Sequence, residues 1–152
     1  MEEDVQNDAM ALLVELRRLR LDLVTWVNRL LVESGTNLPQ YTLMEKVDEM
    51  GEVNMSVLAE RLAVTMGAAT NLVDRLVHAG HVERRRSESD RRVVKVELTE
   101  QGRNLLYRIT NDTATLLAEL LQDVSPGDRR TAIAVIRTLA DRVASRIGEN
   151  RR

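Results

Sequence analysis

The chain contains no cysteine, which excludes disulfide cross-links, thiol redox sensing and cysteine-based zinc sites. Phenylalanine is also missing, and one Trp and two Tyr are the only aromatics among 152 residues. With apolar residues at an ordinary 43%, a core forms, but it has to be built from Leu, Val, Ile, Ala and Met. Such residues suit helix–helix packing and a core that continues into a partner subunit. No apolar run approaches the ~20 residues needed to cross a bilayer, so no membrane partner is expected. The opening Met1-Glu2-Glu3-Asp4 is acidic, unlike a signal peptide, and the expected location is cytoplasmic. There is no glycine-rich phosphate loop and no Ser-His-Asp set, and the only histidines, His78 and His81, lie close together. No enzyme and no cofactor are expected.

What is present is charge, unevenly placed. The net charge is −2, which alone argues weakly against nucleic acid. From His81 to Lys95, however, six basic residues (Arg84, Arg85, Arg86, Arg91, Arg92, Lys95) face three acidic ones (Glu83, Glu88, Asp90), a local +3. The remainder then carries −5. Distribution outweighs the sum in such cases.

Periodicity places the elements. Leu12, Leu16, Leu19, Leu23, Val27 and Leu30 recur at helical spacing and predict an amphipathic helix over Gln6–Glu33. Ser34-Gly35-Thr36-Asn37 ends it, and Pro39 opens a second helix, Gln40–Met50, closed by Gly51. Asn54 is placed to cap a third helix, Met55–Ala63, and Thr65 a fourth, Met66–Ala79, with Gly80 ending the latter in a left-handed conformation. So short a link between the two predicts a steep crossing, the helix-turn-helix arrangement. Val82–Arg86 and Val93–Leu98 read as strands around a Ser87–Asp90 tip, with Val94, Val96 and Leu98 on one face. Thr99 is placed to cap a fifth helix reaching about Asp123. Ser125-Pro126-Gly127-Asp128 restarts a last helix carrying Ile133, Ile136, Leu139, Val143 and Ile147.

On the fourth helix Ala69, Leu72, Val73, Leu76 and Val77 form the expected buried stripe. The opposite side presents Gly67, Asn71, Asp74 and His78, flanked by Ala68, Thr70 and Arg75. A helix that reads DNA uses its N-terminal exposed residues. Asn71 suits adenine, and Ala68 or Thr70 suits the thymine methyl, while Thr65 and Gly67 permit close approach. Arg75 is long enough for phosphate. Asp74 repels phosphate unless paired, and His78 at i+4 is the expected partner. An ordinary surface helix of mixed polarity remains the alternative.

The hairpin adds arginine where a narrow, negative minor groove rewards it. Arg91 and Arg92 follow the tip, Asp90 is spaced to hold Arg92, and Arg84 and Arg86 on the companion strand are expected to meet phosphates. A solvated charged hairpin is the rival reading, weakened by the helix pair directly before it.

The stretch LAERLAVTMGAATNLVDRLVHAGHVERRRSESDRRVVKVELTEQG resembles the MarR family of transcription regulators. Its wing signature is matched by Asp90, Arg92, Leu98, Thr99 and Gly102, and the Leu72–Leu76 run also fits. The resemblance implies a mostly α protein with a small β-hairpin wing (an α+β class). A winged helix-turn-helix core at about 38–100 would sit within one domain, 1–152. Dimerisation helices are implied at about 6–34 and 103–148, with Leu12, Leu16, Ile136, Leu139 and Val143 in the homodimer interface. It implies a regulator of double-stranded DNA, a repressor on a palindromic operator, with half-sites about one helical turn (~34–36 Å) apart. Arg92 would enter the minor groove, oriented by Asp90. The alternative is a winged-helix protein-interaction module, or co-regulator, without its own operator. Many members carry Ser-Arg-Pro-Thr where this chain has Thr65-Met66-Gly67-Ala68, and an aliphatic residue where it has His81.

Family members often bind small aromatic or phenolic acids between the dimerisation helices and the winged domain. Trp26 and Tyr41 are the scarce aromatics available there, with Arg17, Arg18 and Arg20 as carboxylate partners, although core packing of both rings and a solvated arginine face is the favoured alternative. Zinc is not expected, because two histidines at i, i+3 supply too few strong ligands. His78 and His81 read instead as surface residues.

Overall fold

The computed structural model describes residues 2–86 and 94–149. These form two units, Met1–Thr113 and Ala114–Arg152.

In the first unit, α1 (Glu2–Glu33) begins earlier than the apolar periodicity predicts. It ends in a Schellman turn: the N–H of Thr36 bonds the Leu31 carbonyl and that of Gly35 the Val32 carbonyl, with Gly35 at φ 71°. Asn37 caps α2 (Leu38–Met50), its Oδ1 accepting from the backbone N–H of Gln40 at 3.1 Å. A two-residue strand, β1 (Val53–Asn54), follows, which the sequence does not signal. Asn54 precedes α3 (Met55–Arg61), but its side chain makes no capping bond. α3 stops short of Ala63, because that residue turns left-handed at φ 53°. Another Schellman turn forms there, with Val64 N–H bonded to Ala59 and Ala63 N–H to Glu60.

Thr65 caps α4 (Met66–His78), Oγ1 accepting from Ala68 N–H at 3.2 Å. The same device ends α4. His81 N–H reaches Leu76, Gly80 N–H reaches Val77, and Gly80 sits at φ 75°. β2 (Val82–Arg86) and β3 (Val94–Leu98) then pair antiparallel, Arg84 opposite Val96. β1 adds to the other edge of β3, with Val53 opposite Val96, giving the order β1-β3-β2. The mostly helical winged fold expected from the sequence is present.

The core of this unit is aliphatic. Leu31, Leu43, Met44, Val47, Leu58, Val73, Leu76, Val82, Val96 and Ile109 are essentially fully buried. Each contributes roughly 1.5–3 kcal/mol by leaving water. On α4, Ala69, Val73 and Leu76 are buried and Leu72 partly so, whereas Val77 is exposed, contrary to the predicted stripe. Val94, placed on the inner face of its strand, is exposed as well.

The helix α5 (Glu100–Leu120) supplies Leu105, Leu106 and Ile109 to this core. It ends before Asp123 because its carbonyls are taken over by tighter i→i−3 bonds, Gln122 to Glu119 and Val124 to Leu121. In the second unit Ser125 opens α6 (Pro126–Glu149): Oγ accepts from Asp128 N–H at 3.1 Å and donates to its carboxylate at 2.7 Å. No helix among the described residues is long and apolar enough to cross a membrane.

Candidate nucleic-acid interface

The α3–α4 turn leaves the start of α4 open to solvent. Thr65, Gly67, Asn71, Asp74 and Arg75 are exposed, and Ala68 and Thr70 half-buried. A Cβ added at Gly67 would meet nothing within 4 Å, so the helix surface there is flat and unobstructed. Of the residues expected to read bases, the structure gathers Gly67, Ala68, Thr70 and Asn71 onto the first two turns of one helix.

The wing root is fastened by a compact set of bonds. Thr99 Oγ1 donates to the Gly80 carbonyl at 2.6 Å and accepts from Gly102 N–H at 3.1 Å. Thr99 N–H bonds the His81 carbonyl. That carbonyl occupies the space a Cβ on residue 102 would need, lying 2.0 Å from its ideal position. The Leu-Thr-x-x-Gly signature is thus a steric and hydrogen-bonding requirement: it presses the first turn of α5 onto the β2 root.

His81 is not a surface residue. It is 8% exposed, with Nδ1 buried and unpartnered among the described residues, and burial pushes its imidazole pKa down. Its backbone is pinned between Leu76 and Thr99, which fixes the ring inside. His78 is exposed as expected. Among the described residues no group of three His, Asp or Glu is arranged to hold a metal.

Among the described residues, the wing cations Arg84, Arg85 and Lys95 bond within their own chain. Arg84 Nη1 lies 2.7 Å from Asp74 Oδ1 on α4; the partner of Asp74 is therefore Arg84, not His78. Arg85 pairs with Glu83 at 2.9 Å and, diagonally across the ladder, with Glu97, the residue opposite Glu83. Lys95 pairs with Glu52 at 2.5 Å, a partner the sequence does not suggest because 43 residues separate them. The backbone of Arg86 pairs with Val94. Asp90, Arg91 and Arg92, the expected minor-groove contacts, lie outside the described residues, as does the side chain of Arg86.

Tyr41 belongs to the core cluster, and desolvation raises its phenol pKa. Trp26 is half-buried, and its Nε1, buried, has no partner among the described residues. A cavity of about 370 Å³ lies elsewhere, at the wing root, lined by Ser34, His81, Gln101, Asn104, Leu105 and Arg108. The residues expected in a dimer interface are all exposed apolar side chains: Leu12 and Leu16 on α1, and Ile136, Leu139 and Val143 on α6.

The model of the MarR family matches residues 36–94. The uncharacterized HTH-type transcriptional regulator YfiV of Bacillus subtilis is 30% identical over 94 residues, 62% of this chain. The chain spans only 59% of the length of YfiV. Transcriptional repressor MprA of Escherichia coli is 27% identical over 120 residues, covering 76% of this chain and 67% of MprA. A solved MarR family protein from Bacillus stearothermophilus superposes with a TM-score of 0.84 at 22% identity, covering 91% of this chain and 97% of that one. The helix pair and the three-stranded wing thus have the winged-helix fold of that solved structure, and residues 36–94 are similar to the MarR family.

Proposed function

We propose that the chain is a DNA-binding transcription regulator without catalytic activity, acting as a homodimeric repressor on a palindromic operator. The observation that carries this reading is the unobstructed N-terminal surface of α4, with Thr65, Gly67, Ala68, Thr70 and Asn71 presented beside a wing. Asn71 reads adenine and the small residues admit the helix to the major groove. Arg75 meets phosphate, and Arg86, Arg91 and Arg92 supply the wing contacts, Asp90 orienting Arg92. A second copy covers the exposed apolar faces of α1 and α6. The likeness to MprA, named a transcriptional repressor, supports repression. An effector of the small aromatic or phenolic acid class fits the unpartnered indole N–H of Trp26.

The test is a titration against a palindromic duplex from the protein's own promoter at two salt concentrations. Each phosphate contact steepens log K against log salt by about −0.9. Arg92→Ala is expected to weaken binding strongly and leave the dimer intact; unchanged affinity would remove the wing from the interface. The internal pairing of Arg84, Arg85 and Lys95 favours a second reading, a winged helix used for protein contact. A duplex titration with no salt-dependent shift would select it.

A further inference from the structure

We propose that Asp74 is a specificity-determining residue of the α4 surface, acting by holding Arg84 away from phosphate; this rests on the DNA-binding reading above. Asp74 stands one turn beyond Asn71 on the exposed side of α4. A carboxylate there repels a duplex, so its retention on a reading helix needs a reason. Arg84, on β2, meets it at 2.7 Å, the side chains being 34% and 53% exposed.

Stability is a weak reason for such a pair, since solvated ion pairs contribute about 0–1 kcal/mol. The pattern around it points elsewhere. Arg85 and Lys95 are likewise neutralised, by Glu83 with Glu97 and by Glu52. Every wing cation whose side chain is described thus has a carboxylate of its own chain. Free cations at the wing root would add phosphate contacts, and such contacts raise affinity for any duplex without reading sequence. Neutralising them lowers non-specific binding and leaves discrimination to the base-facing residues. Asp74 differs from the other three acids because it sits on the reading helix itself, so its loss both removes a repulsive charge and frees Arg84.

The test compares the wild type, Asp74→Asn, Arg84→Gln and the double variant on two probes: the promoter palindrome and a duplex of scrambled sequence. Asp74→Asn is expected to raise affinity for the scrambled duplex roughly five- to tenfold at about 0.1 M salt, steepening its salt slope by about 0.9. The preference for the palindrome then falls. Arg84→Gln in the wild-type background is expected to leave the slope unchanged. Adding Arg84→Gln to Asp74→Asn should bring the slope back to the wild-type value, which a merely structural role for either residue would not do. Asp74→Glu should keep the wild-type preference. If Arg84→Gln alone flattens the slope by about 0.9, Arg84 already contacts phosphate and the proposal is overturned. It is equally overturned if Asp74→Asn leaves the slope unchanged. Failure of the wild type to bind either probe would instead remove the DNA-binding reading, and this proposal with it.

Discussion

The α carbon of Gly102 faces the carbonyl oxygen of His81 so closely that a Cβ built on it would lie 2.0 Å from that oxygen. No side-chain rotation relieves this contact, because both partners are backbone. Gly102→Ala is therefore expected to push α5 away from the wing root. A loss of about 1–3 kcal/mol is expected, the usual cost of overpacking, measured as a lower urea midpoint with unchanged slope.

Thr99 holds the same junction from the other side, donating to Gly80 and capping Gly102 N–H through one hydroxyl. Thr99→Val keeps the shape and deletes both bonds, and is expected to cost about 1–2 kcal/mol. Thr99→Ser should retain most of that stability. A larger loss for Thr99→Ser than for Thr99→Val would show that the methyl, not the hydroxyl, matters.

Ala63 ends α3 at φ 53°, a conformation that Gly35 and Gly80 adopt in the two other Schellman turns. The left-handed region costs a residue with Cβ about 1–2 kcal/mol, part of which glycine returns as extra freedom in the unfolded chain. Ala63→Gly is expected to raise stability by about 0.5–1 kcal/mol, read as a higher thermal midpoint.

Burial holds the His81 imidazole below its ordinary pKa of 6.5. The unfolded chain then takes up this proton at higher pH than the folded one. Stability from His81 is complete above the unfolded value and declines as pH falls toward the lower folded value. His81→Leu removes the buried, unpartnered Nδ1 along with the titration. Denaturant melts at about pH 7.5 and pH 5 should show a smaller acid loss for the variant, bracketing the ordinary histidine range. An identical loss in both proteins would assign the pH dependence to other groups.

Ile136, Leu139 and Val143 are exposed on α6 to 56%, 37% and 56%. Leu139→Glu combined with Ile136→Glu is expected to turn the proposed homodimer into a monomer in sedimentation equilibrium. It should also abolish any dependence of the thermal midpoint on protein concentration. Retention of the dimer would move its interface off α6.

The helices were legible because their signals are local. Thr65 and Ser125, read as caps, bond as their positions require, whereas Asn54 makes no capping bond and Asn37, read as part of a turn, caps α2. Apolar spacing identified Ala69, Val73 and Leu76 as the inner side of α4. It failed at Val77, the penultimate residue of α4, which is 40% exposed. β1 was invisible, since two residues carry no period.

The linear order of residues was enough to specify the helix pair, the two paired strands and the start of α5 at Thr99, because capping, periodicity and turn chemistry act over three or four neighbours. Which charges neutralise each other depended on folding. Asp74 with Arg84 and Glu52 with Lys95 meet only once β2 and β3 are laid beside the helices. The same holds for His81, polar by type yet enclosed, since the close approach of α5 at Gly102 decides its surroundings. Coulomb attraction and burial depend on distance in space, and residues far apart in the chain acquire that distance only from the tertiary structure.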